Sequence, residues 1–87
     1  MEELTIIDVR TYEEFAGGNA TGSLNIPLNE ISKKLNAIRQ LPQPIVLCCA
    51  SGGRSSQAAA FLQMEGINCI NGGSWFEVNS GVKSNKQ

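Results

Sequence analysis

Residues 48–56, CCASGGRSS, are the part of this sequence best suited to covalent chemistry. Two adjacent cysteines are followed by two glycines, an arginine and two serines. A thiolate is a strong nucleophile, and an arginine side chain binds anions. Counting from Cys48 gives the pattern Cys-x5-Arg, whereas counting from Cys49 gives Cys-x4-Arg, a ring one residue smaller. The first question is therefore which cysteine reacts.

A reactive cysteine in this chain must be activated without imidazole, because the sequence contains no histidine. Cys-His and Ser-His-Asp catalysis are both excluded. A loop that leaves a strand and enters a helix offers free backbone N–H groups and the positive end of the helix dipole. Gly52 and Gly53 allow consecutive N–H groups to converge on one point. We expect these amides to lower the pKa of a neighbouring thiol.

The position of each cysteine relative to the preceding strand favours Cys49 as the nucleophile. Cys48 lies inside the apolar run IVLCC, which is typical of a strand buried on both faces. Because side chains alternate along a strand, the sulfur of Cys48 should point into the packing, while Cys49 begins the loop. Cys48 is then a small core residue.

Short apolar runs alternate with helical patterns along the chain. We predict four strands, in the segments LTIIDV, LNIP, IVLCC and NCI. Three helices separate them: one capped by Thr11, an amphipathic helix over residues 28–39, and a helix over residues 55–65. This order predicts an α/β fold, a small and largely parallel sheet flanked by helices, with ligands bound beyond the carboxyl ends of the strands. We predict one domain at residues 1–79 and a disordered tail at residues 80–87.

Composition excludes several classes of protein. Seven basic and eight acidic residues give a net charge of -1, and no stripe of Lys or Arg is present, which argues against nucleic acid as a partner. No apolar run approaches the roughly 20 residues of a membrane span, and the start is acidic, so we expect a cytoplasmic protein. Three cysteines, two of them adjacent, fit neither a disulfide framework nor a zinc site. We expect a monomer with no metal.

The segment CASGGRSSQAAAFL resembles the active-site loop of rhodanese-type sulfurtransferases, the thiosulfate sulfurtransferase family. That loop has the pattern Cys-x-x-Gly-x-Arg-Ser followed by an alanine-rich helix. IIDVRTYEEFAGGNATGSLNIP is similar to the opening of the family, and INGGSW to its closing Gly-Gly-x-x-Trp. The resemblance covers about residues 6–75 and implies the rhodanese-like fold.

The resemblance also implies a reaction. A six-residue loop, counted here from Cys49 to Arg54, takes sulfur, whereas relatives with a seven-residue loop act on phosphate or arsenate. Cys49 would take the outer sulfur of thiosulfate or another persulfide donor and hold it as a persulfide. It would then pass that sulfur to cyanide, a thiol or a sulfur-carrier protein, without a cofactor. The residues expected to bind the substrate are Ala50, Ser51, Gly52, Gly53, Arg54 and Ser55.

Several alternatives remain open at this point. A Cys-x5-Arg phosphatase or arsenate reductase would use Cys48, and a non-catalytic docking module would use neither cysteine. The residues between Cys49 and Arg54 are all neutral, so a protein or low-molecular-weight persulfide is a donor to consider beside thiosulfate. Asp8 and Arg10 are predicted to form a structural ion pair, and Cys69 a core residue.

Overall fold

The computed structural model describes residues 5–84, with side chains described through residue 81. Strands and helices alternate along it, as predicted. The strands are β1 (Thr5–Asp8), β2 (Leu24–Asn25), β3 (Ile45–Cys49) and β4 (Cys69–Ser74); the helices are α1 (Tyr12–Ala16), α2 (Leu35–Arg39), α3 (Gly53–Met64) and α4 (Trp75–Ser84), with a 3-10 turn at Leu28–Glu30.

The four strands form one parallel sheet in the order β2-β1-β3-β4. The α/β class with a small parallel sheet flanked by helices is confirmed. All four carboxyl ends therefore meet at one edge of the sheet, and β3 occupies an interior position there. The pairing of β3 with β4 slips by one residue, because Leu47 pairs with Asn71 but Cys48 pairs with Gly73. This irregularity leaves Gly72 unpaired, as in a β-bulge.

Helices cover both faces of the sheet. On one face, Ala58, Ala59 and Leu62 of α3 join a buried cluster that also contains Leu47 and Cys49 of β3. On the other face, Val78 of α4 and Val46 of β3 meet over Gly72, where an added Cβ would lie 2.7 Å from a methyl group of each valine. The absence of a side chain at Gly72 therefore lets α4 lie close to the sheet.

Residues 28–39 do not form the continuous amphipathic helix that the sequence predicted. The 3-10 turn at Leu28–Glu30 and the short helix α2 are joined by turns, and the amide of Lys34 lies within bonding distance of two carbonyls, those of Glu30 and Ile31. Ile31 and Ile38 are nevertheless buried, as their spacing predicted. Hydrophobic spacing identifies the side that faces the core, but it does not determine whether the backbone hydrogen bonds continue.

The carboxyl-terminal helix α4 runs from Trp75 to Ser84 and so extends beyond residue 79, where we predicted the domain to end. Ser74 and Glu77 cap its start: the amide of Glu77 donates to the Ser74 hydroxyl at 3.1 Å, and the amide of Ser74 donates to the Glu77 carboxylate at 3.3 Å. Residues 85–87 lie outside the described part of the chain.

A buried ion pair ties β1 to the loop that follows α1. Asp8 accepts hydrogen bonds from the backbone amide, Nε and Nη2 of Arg10 at 2.8 to 3.0 Å. Nη2 of Arg10 also donates to the carbonyl of Gly18 at 2.6 Å, and its guanidinium lies 5.0 Å from the ring centroid of Trp75. The predicted ion pair between Asp8 and Arg10 is therefore present and buried.

None of the helices within residues 5–84 has the length and hydropathy that crossing a bilayer requires.

Removal of the Asp8 carboxylate should destabilise the domain severely. In Asp8→Ala the guanidinium of Arg10, which is 5% exposed, loses its counter-charge. The free energy of unfolding should fall by about 3 to 5 kcal/mol, as for other broken buried pairs. Urea denaturation followed by circular dichroism measures the change.

Glu65→Ala is the matched control, because Glu65 pairs with Arg39 at 3.8 Å with both side chains about 40% exposed. Its loss should stay below about 1 kcal/mol. Similar losses in the two variants would contradict the structural role of the buried pair.

Candidate active site

The two adjacent cysteines point to opposite faces of the sheet. Cys49 is the last residue of β3, and its side chain lies on the α3 face within the buried cluster. Cys48 is 0% exposed and Cys49 is 1% exposed. Cys48 is thus the core residue that the sequence predicted. We expected Cys49 to begin the loop, but it is the last residue of β3, so the strand ends one residue later than expected. Its sulfur lies at the base of the loop that follows.

The loop from Ala50 to Ser55 curls around the sulfur of Cys49. The amide of Gly52 donates to Sγ at 2.9 Å, and the amide and hydroxyl of Ser55 both lie 3.4 Å from it. Gly52 has a φ of +104° and precedes the first residue of α3. This left-handed conformation is readily available only to glycine, and it turns the amide inward. The expected convergence of backbone N–H groups is therefore present at Gly52 and Ser55.

These hydrogen bonds make the two cysteines very different acids. Burial alone would raise the pKa of Cys49, but hydrogen bonds from the hydroxyl and amide of Ser55 and from the amides of Ser51 and Gly52 lower it to about 7. Burial, followed by the negative charge of Asp8, raises the pKa of Cys48 to about 12. Burial also raises the pKa of Cys69, which lies in the core as predicted. Of the three cysteines, only Cys49 has a pKa that permits substantial ionisation near neutral pH.

Asn71 holds the loop from the neighbouring strand, and the sequence did not single it out. Its Oδ1 accepts from the hydroxyl of Ser55 at 2.6 Å, so that the single proton of this hydroxyl is shared between Oδ1 and Sγ of Cys49. Oδ1 also accepts from the amide of Gly73 at 3.0 Å, and Nδ2 donates to the carbonyl of Gly52 at 3.2 Å. Asn71 therefore orients both residues that donate to Cys49. Its position directly before two glycines was the only signal in the sequence.

Arg54 braces the loop against α1. Its guanidinium donates to both oxygens of the Glu14 carboxylate, at 2.8 and 3.0 Å. The hydrogen bond from Arg54 is the main cause that lowers the pKa of Glu14 to about 2. The guanidinium of Arg54, which we expected to bind the substrate, is thus engaged by a carboxylate of the protein itself. Glu14 was not predicted, although its spacing from Thr11 is that of a capping box, which the structure contains.

The remaining predicted loop residues lie at the surface. Ala50, Ser51 and Gly53 are exposed. Gly53 and Arg54 lie in the first turn of α3, where amides have no acceptor within the helix. Within the described residues, no group of three or more His, Cys, Asp or Glu side chains is placed to hold a metal ion.

Sequence comparison connects this loop to a known family. A family model described as a rhodanese-like domain matches residues 1–79. The chain is 41% identical over 65 residues to the uncharacterized protein YqhL of Bacillus subtilis. This alignment covers 75% of this chain and 51% of YqhL. It is 34% identical over 69 residues to a sulfurtransferase of Allochromatium vinosum, covering 79% of this chain and 64% of that protein. The chain thus spans between half and two thirds of these relatives.

Solved structures support the same assignment. A rhodanese-like domain protein from Staphylococcus aureus aligns with a TM-score of 0.76 and 32% identity, over 82% of this chain and 69% of that chain. A rhodanese with anions from E. coli aligns with a TM-score of 0.76 and 27% identity, over 86% of this chain and 91% of that chain. The rhodanese fold expected from the sequence is confirmed, and the chain belongs to the rhodanese-like domain family.

Proposed function

We propose that this chain transfers sulfane sulfur through a persulfide on Cys49. The observation that carries the proposal is the pair of backbone amides directed at Sγ: those of Gly52 and Ser55 lie 2.9 and 3.4 Å from a sulfur that is 1% exposed. Donors in that arrangement stabilise a thiolate where water has little access. They supply the activation that histidine provides in other cysteine enzymes.

In the first half of the reaction, the thiolate of Cys49 attacks the outer sulfur of the donor. One sulfur–sulfur bond forms to Cys49, and the bond between the two donor sulfurs breaks. With thiosulfate the leaving group is sulfite, which departs with the bonding electron pair. Because no net oxidation occurs, the step needs no redox cofactor.

In the second half, an acceptor removes the outer sulfur of the persulfide. Cyanide, a small thiol or a sulfur-carrier protein would attack that atom, and Cys49 would leave as the thiolate. The loop amides stabilise Cys49 as a leaving group for the same reason that they stabilise it as a nucleophile. Ala50, Ser51, Gly52, Gly53, Arg54 and Ser55 are proposed to surround the transferred sulfur.

A phosphatase or arsenate reductase reaction at Cys48 receives no comparable support. The sulfur of Cys48 is fully buried on the face of the sheet opposite the loop amides, and burial raises the pKa of Cys48 to about 12. A docking module without catalysis would need neither a pKa of about 7 at Cys49 nor donors directed at its sulfur. We therefore favour sulfur transfer over both alternatives.

Cys49→Ala should abolish sulfur loading. Incubation of the wild type with thiosulfate or a hydropersulfide, followed by intact mass measurement, should show the addition of one sulfur atom. Cys49→Ala should show no addition, because the attacking atom is missing. Cys48→Ala is the matched control and should load as the wild type does. Equal loading of wild type and Cys49→Ala would refute the proposed function.

The pH dependence of the alkylation rate of Cys49 should reveal the pKa of its thiol, which hydrogen bonds from the loop lower. The rate should rise with pH about a midpoint near 7, because only the ionised form reacts. In Ser55→Ala the midpoint should move upward by up to about one pH unit, since a hydrogen bond to a charged group contributes about 1.5 kcal/mol and the single proton of this hydroxyl is shared between Sγ and Oδ1 of Asn71. Iodoacetamide labelling across pH, with Cys49 followed by peptide mass spectrometry, measures it.

Ser56→Ala is the control for this experiment, because Ser56 is the adjacent serine of α3 and is exposed. Its midpoint should equal that of the wild type. A wild-type midpoint near that of an ordinary thiol, at about pH 8.5, would contradict activation by the loop.

A further inference from the structure

The hydroxyl of Ser55 lies between two acceptors and has a single proton to donate. Its oxygen is 3.4 Å from Sγ of Cys49 and 2.6 Å from Oδ1 of Asn71. Ser55 is 0% exposed, so water has little access to this hydroxyl. A hydroxyl rotates about its C–O bond to suit its neighbours, and it can accept a hydrogen bond while it donates one. The stronger of the two acceptors therefore decides where the proton points.

Two backbone groups determine which atom of the Asn71 side chain faces Ser55. Nδ2 donates to the carbonyl of Gly52 at 3.2 Å, and Oδ1 accepts from the amide of Gly73 at 3.0 Å. The opposite orientation of the side-chain amide would place its oxygen against a carbonyl and its N–H groups against an amide. Asn71 therefore presents an oxygen to Ser55, and this oxygen competes with the sulfur of Cys49 for the proton.

We propose that the proton of the Ser55 hydroxyl follows the charge on Cys49, and that Asn71 is the positioning residue that accepts this proton while the sulfur is neutral. In the thiol form, the S–H of Cys49 donates to Oγ of Ser55, and the hydroxyl donates to Asn71. When Cys49 ionises, its own proton goes to solvent, and the hydroxyl rotates to donate to the thiolate. Oδ1 of Asn71 then keeps the amide of Gly73 as its donor.

The same rotation accompanies sulfur transfer, and this part of the inference rests on the proposed function. In a persulfide, Sγ is bonded to the outer sulfur, and the negative charge is on that outer atom. Sγ is then a weak acceptor, as in a thioether, so the hydroxyl of Ser55 returns to Asn71. Removal of the outer sulfur restores the charge on Sγ, and the hydroxyl turns back to it. Ser55 therefore stabilises Sγ of Cys49 only in the state in which that atom is charged.

Competition from Asn71 has a consequence for the acidity of Cys49. Ionisation requires the hydroxyl to give up its 2.6 Å hydrogen bond to Asn71, which makes the thiolate harder to form. The pKa of Cys49 is therefore higher than it would be if Ser55 had the sulfur as its single partner. Because the nucleophilicity of a thiolate falls with its pKa, each Cys49 thiolate is also more reactive.

The charged groups near Cys49 come from four elements, and each has a partner of its own. They are Glu14 of α1 with Arg54 of α3, Asp8 of β1 with Arg10, and Glu77 of α4 with the amide of Ser74. The pKa of Glu14 is about 2 and that of Cys48 about 12, and burial raises the pKa of Cys69. Because the substitutions below remove none of these charges, a shift of the Cys49 midpoint reports the Ser55 hydroxyl.

Asn71→Leu tests the competition, because leucine has a similar size and offers no acceptor. Ser55 should keep its place in the first turn of α3, since the carbonyl of Gly52 retains the amide of Ser56 as a donor at 3.0 Å. The pH midpoint of iodoacetamide alkylation at Cys49 should fall by about 0.5 to 1 pH unit. The alkylation rate at high pH, where Cys49 is fully ionised, should fall by about twofold.

Asn68→Leu is the matched control, because Asn68 is an exposed asparagine directly before β4. It should change neither the midpoint nor the rate at high pH. An unchanged or raised midpoint in Asn71→Leu would overturn the proposal, since a residue that only supports the loop would raise the pKa of Cys49 when lost. Alkylation needs no sulfur donor, so this result is independent of whether a Cys49 persulfide forms.

The double variant Ser55→Ala/Asn71→Leu shows whether Asn71 acts through the hydroxyl. Its midpoint should lie within about 0.2 pH unit of that of Ser55→Ala, because no proton is left to compete for. An equal shift on Asn71→Leu with and without Ser55 would overturn the proposal.

A measurement on the wild type needs no variant. The side-chain carbonyl carbon of Asn71, followed by NMR across pH, should titrate with the alkylation midpoint of Cys49, because that carbonyl loses the Ser55 proton as the thiolate forms. The corresponding carbon of Asn68 should not move. A constant Asn71 resonance across the ionisation of Cys49 would contradict the rotation of the hydroxyl.

Discussion

The sulfur of Cys49 is removed from water, and the rest of the site depends on how its charge is stabilised there. A buried anion is costly unless hydrogen bonds replace its hydration. The amides of Gly52 and Ser55 supply that replacement because β3 ends directly beneath the amino terminus of α3. The parallel arrangement of the strands creates this junction, since it brings every carboxyl end to the same edge of the sheet.

Donors directed at one atom must be held in place, and three separate contacts do this. Asn71 bonds the Gly52 carbonyl and the Ser55 hydroxyl from β4. Gly73 lies against Gly52, so the two backbones approach closely. Arg54 and Glu14 attach the start of α3 to α1. The bulge at Gly72 links the first two contacts, because it changes the pairing of β3 with β4 between Asn71 and Gly73.

Both arginines at this edge of the sheet, Arg10 and Arg54, form ion pairs with carboxylates of the protein itself. Arg10 is buried between Asp8 and the ring of Trp75, and it holds the loop after α1 through the carbonyl of Gly18. Arg54, nearer to the surface, joins the start of α3 to α1 through Glu14. A domain of this size has a small apolar core. Ion pairs therefore help to hold the segments that make few contacts with that core. The consequence for chemistry is a loop whose attraction for anions comes from backbone dipoles.

Sequence by itself was enough to determine the features that depend on neighbouring residues. Alternation along IVLCC separated Cys48 from Cys49, because adjacent side chains of a strand point to opposite faces. The glycines after Cys49 predicted the turn that directs amides at it, and hydrophobic spacing identified Ile31 and Ile38 as core. The α/β order followed from the same local patterns.

Tertiary structure alone decided the contacts between distant segments. Arg54 meets Glu14 across 40 residues of sequence, and Ser55 meets Asn71 only because β4 lies beside β3 with a shifted register. Helix α4 lies close to the sheet because Gly72 of β4 leaves room for Val78. Residue spacing reports the periodicity of a single element, whereas these contacts depend on how separate elements pack, which no local pattern encodes.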